Sequence, residues 1–191
     1  IYADLITLIF VYLLAAYITK NTRAGLFAAL CYAVSVLPIQ VSHFFTVDPF
    51  ATLFVTITLY RITQGKIGWI TGIMAGLAIG AKISTILILP IIGCAAFIHM
   101  TIHESSTSPM RKWAGMIRSY IFMCVSCLLT LRVVYPYLFN GWGLNTRVLS
   151  NWQELSSFDG PTTSFPPGLQ WIGVHQYQTL LDMVVWGLGI P

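Results

Sequence analysis

Long apolar runs separated by short polar links organise this chain. The runs cover approximately residues 3–19, 24–44, 49–61, 67–80, 83–102 and 113–133, and a seventh begins near residue 177. About 20 apolar residues are needed for a helix to cross the hydrocarbon core of a bilayer. A transmembrane β-barrel would instead show alternating segments of about ten residues. The pattern therefore predicts an all-α fold, a polytopic transmembrane helical bundle with about six to seven spans.

Composition agrees with this prediction. Of 191 residues, 57% are hydrophobic and 8% are charged, whereas soluble domains carry about 25% charged residues. The mean hydropathy is +0.77. Because the chain opens at Ile1 rather than at a methionine, and stops soon after its seventh run begins, we expect an internal fragment of a longer protein. We expect residues 1–191 to form a single transmembrane domain.

The distribution of charge predicts the orientation of the spans. If successive runs alternate sides, seven of the ten basic residues fall on one side: Lys20, Arg23, Arg61, Lys66, Arg111, Lys112 and Arg118. Since cytoplasmic loops carry an excess of Lys and Arg, we expect that side to be cytoplasmic. Asp48, Lys82 and a long, mostly polar segment at 134–176 would then lie on the outer face. A prokaryotic cytoplasmic membrane is the expected location.

The outer segment is too long and too rich in aromatic residues and proline to be a passive linker. Asn145 is placed to cap a short helix with Trp152 on its apolar side, which is typical of a helix lying in the membrane interface. The turn-rich stretch at 158–168 follows it. We expect this segment, which also contains Asp159 and His175, to cover a site on the outer face.

The fourth run is short and carries a ladder of glycines at a spacing of four, namely Gly68, Gly72, Gly76 and Gly80. Such a face lets a neighbouring helix backbone approach closely in a membrane. Fourteen residues cover only about 21 Å as a helix, which is less than the roughly 30 Å hydrocarbon core. We therefore expect Lys82, just after this run, to lie in a recess below the membrane surface.

The junction between the second and third runs contains the strongest candidates for functional residues. His43 and Asp48 stand five residues apart between two apolar runs, and Pro49 fits the first turn of the following helix. Asp48 is placed to cap that helix. It also follows an outer helix end, as Lys82 does, so the two can converge. A carboxylate there can orient a hydroxyl acceptor or hold a divalent cation, and a lysine can neutralise a phosphate.

We therefore take Asp48 and His43 as candidate catalytic residues. The candidate substrate-binding residues are Lys82, Arg132, Arg147 and Tyr135. Each has a structural alternative. Asp48 can serve as a helix cap alone, and His43 as an interfacial polar residue. Lys82 can snorkel to the lipid headgroups, and Arg132 can bind lipid phosphate.

Other classes of site are not indicated. The four cysteines lie inside apolar runs, and the pair Cys124 and Cys127 is best interpreted as small packing residues. No metal motif, nucleotide fingerprint or nucleophile motif is present in the sequence. The basic and aromatic residues form no nucleic-acid patch, so no nucleic-acid partner is expected.

The segment Pro38–Phe44, Asp48, and the stretch from Gly72 to Ser84 resemble the core of the GT-C membrane glycosyltransferases. The similarity is to the protein O-mannosyltransferase and aminoarabinose-transferase-like families, with a "GLxxGLAxxxK"-like pattern followed by an apolar run that ends at Pro90. The later stretches, Tyr135–Phe139, Phe165–Trp171 and Trp186–Pro191, are more similar to the related bacterial and archaeal YYY membrane proteins.

The resemblance implies transfer of a sugar from a polyprenyl-phosphate donor to an acceptor on the outer membrane face. It places Asp48 beside the acceptor or a metal, matches Lys82 to a family lysine, and implies a catalytic base in an outer loop that would precede Ile1. Membrane lipids and other membrane subunits are the remaining expected partners. The alternative to an enzyme is a non-catalytic polytopic subunit that packs in a larger complex through the glycine ladder; a transporter ranks lower because no repeated half with broken helices is evident.

Overall fold

The computed structural model describes residues 1–44, 46–102, 109–141, 143–157 and 175–187. Within these residues the chain is mostly helical. The α-helices are α1 (Tyr2–Thr19), α2 (Thr22–Val34), α3 (Val36–His43), α4 (Asp48–Thr63), α5 (Trp69–Ala81), α6 (Ile88–Ile102), α7 (Pro109–Val134), α8 (Thr146–Ser157) and α9 (Gln176–Asp182). Short 3-10 helices cover Ile83–Leu87 and Pro136–Leu138, and a π-helical turn covers Met183–Gly187.

The chain divides into two compact units, Ile1–Val134 and Tyr135–Pro191. The first contains α1 to α7. In the second, two-residue strands β1 (Phe139–Asn140) and β2 (Gly143–Leu144) form an antiparallel hairpin, and Asn145 follows β2 directly. Asn145 Oδ1 accepts a hydrogen bond from the backbone N–H of Arg147 at 3.1 Å, which fastens the start of α8.

Two described helical segments are long and apolar enough to cross a membrane, Tyr2–Thr19 and Trp113–Val134. The pair α2 and α3 makes a third if it is counted as one bent span, and α5 and the segment Ile83–His99 are apolar but shorter. The described residues thus support an integral membrane protein with two to three spans of sufficient length, fewer than the six to seven expected.

The second apolar run is not one continuous helix. It breaks at Ser35, which has an extended backbone, and the axes of α2 and α3 differ by 55°. Pro38 explains the break, since a proline has no N–H to bond the carbonyl of Val34 four residues earlier, and its ring would clash with that carbonyl.

The glycine ladder packs α5 against α7, as the spacing predicts. A methyl group on Gly72 would overlap the carbonyl oxygen of Met123 and the Oγ of Ser126. One on Gly76 would lie 2.8 Å from the carbonyl oxygen of Cys127. The two helices therefore touch through their backbones, which is the purpose of small residues at such interfaces.

The ends of the ladder behave differently from its centre. A methyl group on Gly80 would meet a side-chain carbon of Val134 at 3.3 Å, and one on Gly68 would have no other atom within 4 Å. Since contacts advance from Met123 to Val134 as α5 advances from Gly72 to Gly80, the two helices run parallel. Their C-terminal ends lie together.

Candidate active site

Asp48 is the first residue of α4, with Pro49 buried directly behind it. The prediction that Asp48 caps this helix is wrong, because the N-cap residue is Val47 and no side chain makes a capping bond there. The Asp48 carboxylate instead accepts a hydrogen bond from Lys82 Nζ, at 2.6 Å from Oδ1. Its position in the first turn still places the negative charge at the favourable end of the helix dipole.

Lys82 reaches Asp48 because α5 ends just before it. The backbone of Lys82 is extended, with φ −148° and ψ 114°, and the chain turns there into a short 3-10 helix. The predicted convergence of Asp48 and Lys82 is confirmed. The side chains keep 42% and 51% of their surface exposed, respectively, so the pair remains open to a ligand.

A second carboxylate belongs to the same place. Asp4, in the first turn of α1, and Asp48 line one cleft of about 100 Å³. The cleft is otherwise largely apolar, and its remaining lining residues are Tyr32, Leu37, Pro38, Val41, Pro49 and Thr52. Two acidic groups are thus held in an apolar recess formed by α1, the bent pair α2 and α3, and α4.

Tyr32 fastens Asp4 in this arrangement. The Tyr32 hydroxyl donates a hydrogen bond to Asp4 Oδ1 at 2.7 Å, which joins the end of α2 to the start of α1. Sequence reasoning overlooked Tyr32. The sequence feature that could have identified Tyr32 is a tyrosine inside an apolar run, because a half-buried phenol needs a partner for its hydroxyl. Asp4 is a suitable partner, because it lies near the start of the first run and Tyr32 lies near the end of the next helix.

His43 lies at the last turn of α3 and is exposed. Its Nδ1 is 2.7 Å from the carbonyl oxygen of Ile39. Since a carbonyl can only accept, Nδ1 carries the proton and Nε2 of the neutral ring keeps its lone pair. Nothing in the described contacts joins His43 to Asp48, and His43 is not among the residues that line the cleft.

The remaining predicted residues divide between the two units. Arg132 is exposed near the C-terminal end of α7, and because Val134 lies beside Gly80, it is at the same end of the first unit as Lys82. Tyr135 and Arg147 belong to the second unit. Asp159 and the turn-rich stretch at 158–168 lie outside the described residues.

The described residues contain no group of three or more His, Cys, Asp or Glu side chains suited to a metal ion. Asp4 and Asp48 supply two carboxylates at one cleft. Mg²⁺ is commonly held through one or two carboxylates, with substrate phosphates and water completing its shell. This donor set therefore fits a cation that arrives with a phosphorylated substrate.

Taken together, these groups place two carboxylates at an apolar recess and one ammonium beside Asp48. Low polarity strengthens the interactions between charges. A lysine beside the recess attracts a phosphate oxygen, and a carboxylate can orient a hydroxyl group for attack. Such a set is suited to transfer of a group from a phosphate to a hydroxyl acceptor.

Comparison with protein families identifies the family to which this chain belongs. The model described as dolichyl-phosphate-mannose-protein mannosyltransferase matches residues 1–130. The chain belongs to this family. The mannosyltransferase family comprises membrane glycosyltransferases that use a polyprenyl-phosphate-linked sugar. No curated protein and no solved structure is significantly similar to the chain.

The match confirms the membrane glycosyltransferase resemblance at the level of the family. It covers Asp4, Tyr32, Asp48 and Lys82, and it ends two residues before Arg132. The similarity to the YYY proteins rests on residues after 134 and stays a prediction.

Proposed function

We propose that this chain is the part of a GT-C-type mannosyltransferase-family enzyme that moves a sugar from a polyprenyl-phosphate donor to an acceptor on the outer face of the membrane. The observation that carries the proposal is the Asp48–Lys82 ion pair of 2.6 Å, beside a cleft that also contains Asp4. This arrangement brings the Lys82 ammonium, which can bind the phosphate, and two carboxylates, which can orient the acceptor, to one end of the helices.

Lys82 is the residue we assign to the donor phosphate. Its ammonium is half-exposed and already lies against a carboxylate, so a phosphate oxygen can compete for it without large movement. Arg132 ends the neighbouring helix at the same end and is assigned to the same phosphate. Arg147 and Tyr135, in the second unit, are assigned to substrate binding because the charge distribution of the sequence predicts both on the outer face.

Asp48 is assigned to the acceptor side. When Lys82 binds the donor phosphate instead, the Asp48 carboxylate becomes free to orient the acceptor hydroxyl or a divalent cation. His43, whose Nε2 keeps a lone pair, is assigned as an accessory base. Asp4 lines the cleft and is held by Tyr32.

Topology belongs to the same proposal. We assign the full set of six to seven spans within one transmembrane domain, with Asp48, Lys82 and the 134–176 segment on the outer face of a prokaryotic cytoplasmic membrane. α8 is assigned to the membrane interface.

The alternative, a non-catalytic subunit, loses its main support. That interpretation relied on the glycine ladder as a surface for another protein. Gly72 and Gly76 instead pack against α7 of the same chain, so their close-approach surface is already used.

Donor preference tests the proposed reaction. The full-length protein in liposomes is expected to transfer mannose from mannosyl polyprenyl phosphate to a hydroxyl group of the acceptor and to release polyprenyl phosphate, measured with radiolabelled sugar. A nucleotide-linked mannose is the matched control and should give no product, since Lys82 and Arg132 are assigned to a lipid-borne phosphate at a helix end. Equal transfer from the nucleotide donor would contradict the proposal.

Labelling of single introduced cysteines in a cysteine-free background tests the orientation separately. A thiol at Gln64, after α4, should resist a membrane-impermeant reagent in intact cells, whereas one at Ser157, at the end of α8, should react. A reactive thiol at Gln64 would place the Asp48 end on the cytoplasmic side.

His43 has its own test. His43→Gln is expected to lower the transfer rate by about tenfold, because general-base assistance contributes on the order of 10² or more when the base is the principal one and His43 is an accessory. The control Gln40→Ala changes an exposed polar residue of the same helix. If both variants retain the parent rate, His43 is an interfacial residue alone.

A further inference from the structure

A second cleft lies between the C-terminal ends of α1, α4 and α6. It has a volume of about 430 Å³ and is lined by Tyr17, Ile18, Lys20, Ile62, Thr63, Ala95, Ile98 and His99. Pockets of this size hold small organic ligands. None of these residues is part of the Asp48 site, which lies at the start of α1 and of α4.

The walls of this cleft are apolar and its polar groups are cationic or uncharged. Ile18 and Ile98 are exposed, as lipid-facing residues of a span would be. Tyr17, Lys20, Thr63 and His99 supply the polar groups, and none of the lining residues is acidic. The chemistry is complementary to a ligand with a negative head and a hydrocarbon tail.

Lys20 is held at the rim by an unusual backbone. It is the only non-glycine residue with positive φ among the described residues, at 55°, a conformation that lysine rarely adopts and glycine prefers. The Lys20 ammonium lies 4.2 Å from the centre of the Tyr17 ring. The ammonium thus lies over a ring that also lines the cleft.

The turn after α4 allows the His99 ring to line the cleft. The turn after α4 contains Gly65 with φ of 70°, and a methyl group there would lie 2.6 Å from Cε1 of His99. The absent side chain thus makes room for the imidazole. Two left-handed turns, after α1 and after α4, therefore lie beside the residues that line this cleft.

The location points to a membrane lipid. α1 is long and apolar enough to cross the bilayer, so its C-terminal end reaches an interface, where tyrosine and lysine commonly sit. Basic pockets between transmembrane helices bind anionic lipid headgroups. We propose that this cleft binds an anionic glycerophospholipid, with its phosphate at Lys20 and His99 and an acyl chain along Ile18 and Ile98.

Native mass spectrometry of the full-length protein in neutral detergent tests the inference through lipid retention, independently of sugar transfer. Phosphatidylglycerol is expected to be retained more than phosphatidylcholine. Lys20→Gly should lower retention by about fivefold, the effect of one basic residue near an anionic lipid surface. Glycine suits the left-handed turn, so this change removes the charge without disturbing the fold.

Two controls complete the experiment. Lys20→Arg keeps the charge and should retain lipid as the parent does. Lys66→Gln removes an exposed charge that does not line the cleft and should also have no effect. The inference is overturned if Lys20→Gly retains phosphatidylglycerol fully, if phosphatidylcholine is retained equally, or if millimolar glycerol 3-phosphate displaces the lipid, which would identify a soluble phosphate ester as the ligand.

Discussion

Replacing Asp48 with asparagine is expected to lower the rate of sugar transfer by about 100-fold or more, the usual effect of removing one preorganised charged or hydrogen-bonding group from a catalytic site. Asparagine keeps the size of the side chain but removes the charge that holds Lys82 at 2.6 Å. The measurement is initial rate of transfer from a polyprenyl-phosphate donor by the full-length protein.

The thermal stability of this variant should change little. Both side chains are about half-exposed, and exposed ion pairs contribute about 0–1 kcal/mol. Asp182→Asn makes the same chemical change at an exposed residue of the second unit and should keep the parent rate. Full transfer activity in Asp48→Asn would remove Asp48 from the mechanism.

A double variant shows whether the pair works as a unit. Lys82→Gln should resemble Asp48→Asn, and the combination should be scarcely slower than either single change, since residues that act together show strongly non-additive effects. If the two losses instead multiply, Lys82 and Asp48 contribute through separate contacts.

Gly72→Ala is expected to destabilise the first unit by about 1–3 kcal/mol, the range for inserting a methyl group into a well-packed interface. The new methyl group would overlap the carbonyl oxygen of Met123, which is backbone and cannot rotate away. The helices α5 and α7 must then separate. A lower midpoint of thermal unfolding in detergent is the expected observation.

The rest of the ladder supplies a graded control. Gly76→Ala should be nearly as damaging, because its methyl group would lie 2.8 Å from backbone and side-chain atoms of α7. Gly80→Ala meets a side chain at 3.3 Å and should cost less, and Gly68→Ala meets nothing. A uniform response along the four positions would show that packing against α7 is not their role.

The same ladder links packing to the site. Lys82 follows α5 by one residue, so the contact between α5 and α7 sets where its ammonium lies. Gly72→Ala should therefore also weaken transfer, whereas Gly68→Ala should not. The close packing at the buried Gly72 thus helps to position Lys82, which lies some three helical turns later.

Much of the site could be predicted from local sequence. The apolar runs and polar links predicted that Asp48 and Lys82 follow helix ends on the same side of the membrane, and the structure brings their side chains together. The glycine spacing predicted a close helix contact, which Gly72 and Gly76 make. Periodicity and alternation are local properties, so they can be recognised without knowing which helices are neighbours.

The contacts that each carboxylate makes could only partly be predicted in this way. Asp48 was expected both to cap its own helix and to converge with Lys82, and the structure shows only the contact with Lys82, 34 residues later. Tyr32 was overlooked although it holds Asp4, 28 residues earlier. A local cap and a distant ion pair use the same carboxylate, and only the packing of the helices decides between them.

By itself the sequence determined the membrane class, the alternation of apolar runs with polar links, the glycine face of the fourth run and the charged residues at the ends of the runs. Each of these follows from hydrophobicity and helical period within one segment. The tertiary structure decided the choice of α7 as partner of the glycine face and the meeting of Asp4, Tyr32 and Asp48 around one cleft. These depend on which helix ends become neighbours, a property of the packed chain that no single segment contains.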